Sequence, residues 1–275
     1  DEDFSVSNDY SYRLYSYFKE FQSSSSEVHI ITGCDDIMAI NYKVDANLND
    51  ESCRYGLNVP QDYSTIQGAI DASSDGDTIL VSKGAYFENL NYNGKNVAVM
   101  SRYFSTKDRS YITGTEINGS GNGRVVSFEN GESSDAMLSG FIIRNGFARE
   151  GGGIRVFGSN PTLNNLIIED NEAGEHGGGI YYANDNGSNF ILSNVIIRKN
   201  NSNIDCSGGY CGLGGGIYID EGKANIHLNN VLIRGNTAWI GGAISLSVDK
   251  MATDLSLRLE NVTIADNVGI SGSAI

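Results

Sequence analysis

Glu169-Asp170-Asn171-Glu172, with Glu175 and His176 just beyond, is the densest group of side chains able to do chemistry in this 275-residue chain. Carboxylates so grouped could bind Ca2+ or pair a general acid with a general base. On a chain of net charge −15, a solvated acidic turn facing Arg198 and Lys199 explains them at least as well, and that is the reading adopted. Asp45, Asn47, Asn49 and Asp50 form a second candidate. Their oxygen side chains recur at nearly alternate positions, as in calcium loops, against the simpler reading of an Asn/Asp-rich turn. His29 and His227 have no carboxylates matched to them, and spacing alone supports no Ser-His-Asp arrangement. The expectation is therefore a protein without catalysis, with Ca2+ as the one cofactor to test.

What must position these residues is a repeat. Gly151-Gly-Gly-Ile154 recurs as Gly177-Gly-Gly-Ile180, Gly214-Gly-Gly-Ile217 and Gly241-Gly-Ala-Ile244, and Gly272-Ser-Ala-Ile275 begins it again. Between these copies lies Leu-x-Asn-(Val/Leu)-x-Ile-x-x-Asn, at Leu163 to Asn171, Leu192 to Asn200, Leu228 to Asn236 and Leu259 to Asn267. Apolar residues alternate within each copy, in runs too short for helices, so the elements are strands. A short strand cannot bury its inward face alone. Parallel stacking of copies about 4.8 Å apart buries a continuous apolar column, and the expected architecture is an all-β parallel β-helix, a solenoid.

That stacking predicts two asparagine ladders. Alternation stops at Asn165, Asn194, Asn230 and Asn261, where the chain must bend and Asn tolerates the left-handed conformation. Asn171, Asn200, Asn236 and Asn267 mark the next corner, where stacked amides can satisfy buried polar groups. Stacking also predicts two outward rows. Arg155, Tyr181, Tyr218 and Ser245 follow the glycine motifs, and the two tyrosines could form a platform for a sugar ring, or simply pack across strands. Ile142, Ile167, Ile196, Leu232 and Thr263 form an aliphatic ribbon, which either residues 1–32 or another protein should cover.

This half of the chain resembles the polymorphic outer-membrane-protein repeats, in which a Gly-Gly-Ala-Ile type tetrapeptide alternates with a short aliphatic-x-x-Asn motif. Here these are Gly241-Gly-Ala-Ile244 and Ile264-Ala-Asp-Asn267. The resemblance covers residues 138–275 and implies a surface location. Upstream, Val59 to Ala72 reads as a short amphipathic helix with Ile66, Ala69 and Ile70 on one face and Ser64 and Gln67 as a capping box. It is followed by Thr78-Ile-Leu-Val81 and Asn96-Val-Ala-Val-Met100. This order looks like the entrance to the pectate-lyase-like group, with the helix closing the apolar end, and the resemblance implies right-handed coiling. The Asp-Phe-Ile-Phe-Gly signature of pectin methylesterases and the Arg-x-Pro-x-x-Arg stretch of pectate lyases are missing.

Four cysteines allow three connectivities, and proximity in sequence favours Cys34 with Cys53 and Cys206 with Cys211. Two disulfides imply an oxidising compartment. Gly33 to Tyr55 is similar to a short disulfide module of secreted and surface proteins, with Asp50-Glu51 where that module has Asp-Gly. Residues 1–32 read as a leader or docking segment, with Leu14, Phe18 and Phe21 on one face of a helical turn or two. Residues 33–56 are the disulfide module and 57–275 the β-helix. Asp1-Glu-Asp, without Met, reads as a mature end after signal-peptide removal, although an internal boundary would look the same. At Ile275 a strand has just opened, so a longer chain or a partner is expected to close that edge.

The charge argues against nucleic acid, and no apolar run approaches a membrane span. The expected protein is extracellular or on the cell surface, with an adhesive, structural or self-assembling role, and its partner is itself or another surface protein. The rival is a carbohydrate-binding or polysaccharide-lyase-like protein acting on extracellular glycans with Ca2+.

Overall fold

The computed structural model describes residues 9–272 apart from 15–16, 19–20, 23–25, 38, 185–188, 204–210, 221–224 and 248–255, and describes no side chain before residue 30. The chain divides into two compact units, Asp1–Gly56 and Leu57–Ile275.

In the first unit, Asp9–Leu14 pairs antiparallel with Ser26–Gly33, which pairs in parallel with Leu48–Asn49. The segment expected to turn helically is therefore extended, with strands at Asp9–Leu14, Tyr17–Phe18 and Phe21–Gln22. Tyr10-Ser-Tyr12-Arg-Leu14 alternates at period two, and a partner strand rewards that pattern over a helical one. The side chains of Leu14, Phe18 and Phe21 lie outside those described. Cys34 and Cys53 form a disulfide with Cα atoms 4.7 Å apart.

The second unit is built from parallel sheets. Successive copies of the repeat add strands to each of three sheets, and in the six-stranded one Ile154, Ile180, Ile217 and Ile244 are paired neighbours. Among the described residues the sheets hold thirteen, six and five strands. The largest has two tracks, which merge where the strands Asn189–Arg198 and Asn225–Arg234 run through the asparagine corner. Leu163, Leu192 and Leu228, like Ile168, Ile197 and Ile233, point inward and are at most 1 % exposed. Each such column buries its side chains for about 1.5–3 kcal/mol apiece.

The glycine motif has a backbone reason. Gly177 has φ +67°, the left-handed turn that ends one strand and opens the next. A Cβ on Gly178 would meet the carbonyl oxygen of Asn201 at 2.3 Å and that of Gly215 at 2.7 Å. One glycine makes the turn, and the next lets the adjacent copy approach.

Both asparagine corners are present as geometry. Asn165, Asn194, Asn230 and Asn261 all have φ between +52° and +58°. At the second corner the left-handed residue is the one before each ladder asparagine, at Asp170, Lys199, Gly235 and Asp266, and Asn145 takes the same conformation before Gly146. The ladder amides then turn inward. The Asn171 side chain donates to Ile143 O (3.0 Å) and to Asn200 Oδ1 (3.0 Å), Asn200 to Ile168 O (2.9 Å) and Asn236 Oδ1 (3.0 Å), and Asn236 to Ile197 O (3.1 Å) and Asn267 Oδ1 (2.9 Å).

Helix α1, Ile66–Ala72, packs Ile66, Ala69 and Ile70 fully buried against the apolar core. Its cap differs from the expected Ser64–Gln67 box. Thr65 is the N-cap, its hydroxyl accepting from Gly68 N, while the Glu88 carboxylate accepts from Ile66 N and Gln67 N, both at 2.9 Å. A carboxylate suits the positive end of a helix, and this one arrives from a distant strand connection that sequence proximity could not reveal. Lys95 holds the other end, its ammonium donating to Ile70 O, Asp71 O and Ser73 O. Two short helices, α2 (Tyr103–Thr106) and α3 (Ser110–Thr113), form an insertion between the strands Ala98–Ser101 and Thr115–Asn118.

Candidate functional site

The aliphatic row forms the floor of a groove of about 420 Å3. Ile167, Ile196, Leu232 and Thr263 are paired in register along it, the first three half-buried and Thr263 exposed. Its wall is the first asparagine ladder, Asn165, Asn194, Asn230 and Asn261, and its head is closed by Arg109, Ile112 and Thr113 of the helical insertion. Asn230 donates to Asn194 Oδ1 at 2.6 Å, and Asn165 donates to Ser139 Oγ and Asn164 Oδ1. Ile142, in register with Ile167 and also half-buried, continues the row outside the groove lining. Among the described residues no carboxylate lines the groove. The repeat predicted the floor and the wall, but the insertion at the head carries no repeat signal.

The second outward row is built differently from expectation. Tyr181 and Tyr218 are neighbours in register with ring centroids 5.6 Å apart, but they are only 5 % and 4 % exposed. They are not an open sugar platform. The His176 ring stacks on Tyr218 at 4.6 Å, Leu213 packs against the pair, and the Arg155 guanidinium lies over Tyr181 and over Phe157. Arg155 is itself paired with Glu129 (3.2 Å) and Glu150 (3.5 Å), and Glu129 also pairs with Arg124. Residues remote in sequence converge here, and the local motif Gly-Gly-Gly-Ile-Tyr cannot announce them.

Burial, reinforced by the nearby Glu150 and Asp220 carboxylates, holds the Tyr181 phenol far above its ordinary value, and its hydroxyl donates to Asp220 Oδ2 at 3.2 Å. Burial raises Tyr218 and the fully enclosed Tyr92 as well. Folded values above the unfolded value of about 10 mean that this stability is complete below pH ~10 and is lost as pH rises through the folded values. We expect these phenols to ionise together with unfolding in an alkaline titration followed by phenolate absorbance and circular dichroism, with Tyr181→Phe moving the transition to higher pH. Independent ionisation near pH ~10 in the folded protein would contradict the buried pair.

The acidic cluster around Glu169 separates into ion pairs. Glu169 is 6 % exposed and meets Arg198 at 2.6 Å, with Arg144 at 3.9 Å on its other side. Asp170 meets Arg144 at 3.2 Å and Glu175 meets Arg149 at 2.8 Å, while His176 turns to Tyr218. The arginines of adjacent copies occupy the carboxylates, so the group is a charge ladder between strands. His227, unmatched in the sequence, lies 2.9 Å from Glu260. The register that sets Leu228 beside Leu259 brings the two together, and it was the signal available to find them.

In the disulfide unit, the oxygens at Asn47, Asn49 and Asp50 each accept a backbone N–H, from Ile31 (3.0 Å), Glu51 (2.8 Å) and Ser52 (3.0 Å). Hydrogen bonds from Ser52 hold the Asp50 carboxyl below the usual carboxylate range. Glu51 takes φ +63° where the similar module has Gly, keeping the tight turn at a cost of about 1–2 kcal/mol. Among the described residues no group of three or more His, Cys, Asp or Glu is gathered to hold a metal ion. Cys211 is disulfide-bonded, and Cys206, its expected partner, lies outside the described residues.

The chain matches no protein-family model, no curated protein and no solved structure. The likeness to outer-membrane-protein repeats rests on the repeated residues of 138–275 alone, and that to the pectate-lyase-like entrance on the order of segments between Val59 and Met100 alone. No helix among the described residues is long and apolar enough to cross a membrane.

Proposed function

We propose that residues 57–275 form a right-handed parallel β-helix, and that the protein is a secreted or cell-surface, non-catalytic assembly or adhesion protein working through its aliphatic groove. The observation that carries this reading is the groove itself. A chain with 34 acidic residues leaves a row of aliphatic side chains outward-facing, with no carboxylate among the described residues that line it. Water disfavours such a surface, and a partner removes it from water. A disulfide is in keeping with an oxidising compartment. The rival glycan reading would use Arg155, Tyr181 and Tyr218 with Ca2+ near Asp45 to Asp50. It loses support because both rings are covered and Arg155 is already paired.

The test is the assembly state of the purified protein by electron microscopy and light scattering, with Ca2+ and with a chelator. Ordered oligomers or filaments are expected, abolished by Ile167→Asp with Ile196→Asp while the circular dichroism stays unchanged. Assembly that survives both substitutions, or protein that remains dispersed in every condition, would refute the proposal.

A further inference from the structure

Six asparagines in this chain stand directly before a glycine, at Asn93, Asn118, Asn122, Asn130, Asn145 and Asn186. Such a pair is chemically distinct, because glycine has no Cβ to shield its backbone nitrogen from the preceding side chain. An unengaged nitrogen there can attack the asparagine carboxamide and close a five-membered ring. Asn186 lies outside the described residues. In four of the other five pairs the fold holds the glycine N–H: Gly94 N donates to Glu132 Oε1 (2.8 Å), Gly119 N to Arg144 O (3.0 Å), Gly131 N to Ser159 Oγ (3.1 Å) and Gly146 N to Asn171 Oδ1 (2.9 Å). Gly123 N has no such acceptor among the described residues, and neither does the Asn122 carboxamide. Both residues are exposed.

We propose that Asn122-Gly123 is a site of spontaneous covalent modification, at which the asparagine becomes aspartate or isoaspartate with water as the only co-reactant. Gly123 N gives its proton to solvent base and bonds to Asn122 Cγ. The Cγ–Nδ2 bond breaks, ammonia leaves, and a cyclic imide remains. Water then opens the imide at either carbonyl: breaking the new N–Cγ bond gives aspartate, and breaking the original peptide bond gives isoaspartate. One water is consumed for each ammonia released, and nothing is oxidised or reduced.

Exposure alone does not select this pair, since Asn93 and Asn130 are exposed as well. What separates them is the engaged donor. Their glycines must give up a hydrogen bond before the nitrogen can attack, and the acceptors are firmly placed. Glu132, 1 % exposed, also accepts from Asn130 N and from Ser159 Oγ, and Ser159 is 2 % exposed. The turn at Asn122 is tied to the next copy on either side of the reacting bond, with Gly121 N donating to Asn145 O (2.7 Å) and Phe147 N to Gly123 O (2.9 Å). Isoaspartate adds a carbon to the main chain between those ties, and either product adds a carboxylate.

Peptide mapping by mass spectrometry tests this on the purified native chain, incubated at mildly alkaline pH and sampled over time. Asn122 is expected to convert first, with Asn93, Asn118, Asn130 and Asn145 slower by roughly 10-fold or more, the factor set by breaking one hydrogen bond. In urea the five should convert at similar rates. Ser159→Ala removes the acceptor of Gly131 N and should bring Asn130 toward the Asn122 rate, in a chain that keeps the wild-type circular dichroism. Equal rates at the five sites in the folded chain would overturn the proposal. So would the same ranking in urea as in the folded chain, because local sequence and not the fold would then select the site. An Asn130 rate unmoved by Ser159→Ala would overturn it too, by showing that the engaged N–H is not what protects.

Discussion

Replacing Asn200 by alanine is expected to destabilise the parallel unit by about 4 kcal/mol, far more than most single substitutions. The Asn200 carboxamide is 1 % exposed and makes four hydrogen bonds. Its oxygen accepts from Asn171 N (3.1 Å) and Asn171 Nδ2 (3.0 Å), and its nitrogen donates to Ile168 O (2.9 Å) and Asn236 Oδ1 (3.0 Å). Two of the partners keep another bond, since Asn171 Nδ2 still reaches Ile143 O and Asn236 Oδ1 still accepts from Asn200 N. Asn171 N and Ile168 O are left without these side-chain bonds in the interior, at about 1–3 kcal/mol each. Asn194→Ala is the control. Its side chain is exposed and makes one contact along the ladder, so its loss should cost about 1 kcal/mol, mainly for placing alanine in the left-handed region. Urea unfolding distinguishes the two, and equal losses would mean that the buried ladder carries no special share of the stability.

The second large effect is expected at Gly178. In Gly178→Ala the new Cβ would stand 2.3 Å from Asn201 O, 2.6 Å from Asn201 C and 2.7 Å from Gly215 O. All three are backbone atoms of the next copy, held in the sheet ladders, so no side chain can swing aside. The strands must separate at that level, at a cost of about 3 kcal/mol or more. Gly235→Ala meets nothing within 4 Å and suffers only from its φ of +62°, worth about 1–2 kcal/mol. The contrast separates crowding from backbone strain. Thermal unfolding that ranked Gly235→Ala as the more damaging would show that the copies are not packed as tightly as their carbonyl contacts imply.

Residues 138–275 are legible in outline from the sequence because a repeat carries its own register. Two phrases recurring at intervals say which residues are equivalent, and equivalent residues of stacked strands become neighbours. The pairing of Leu163 with Leu192 and Leu228, the left-handed bend at Asn165 and its sister residues, and the outward aliphatic row all follow from that equivalence with the period-two alternation of strands. The burying face of α1 was legible for the same kind of reason, as three apolar residues at helical spacing.

Tertiary structure alone decided the contacts between positions that are not equivalent. Tyr181 and Tyr218 look outward by alternation, yet His176, Leu213 and Arg155 enclose them from other parts of the chain. Glu88 caps α1 from 22 residues away, Arg144 and Arg198 occupy the Glu169 carboxylate from two different copies, and the insertion at residues 103–113 closes the groove. Periodicity specifies where the backbone repeats and which side of a strand faces the core. It holds no record of where an irregular connection folds back, because that depends on the packing and charge pairing of side chains that meet only once the copies have stacked.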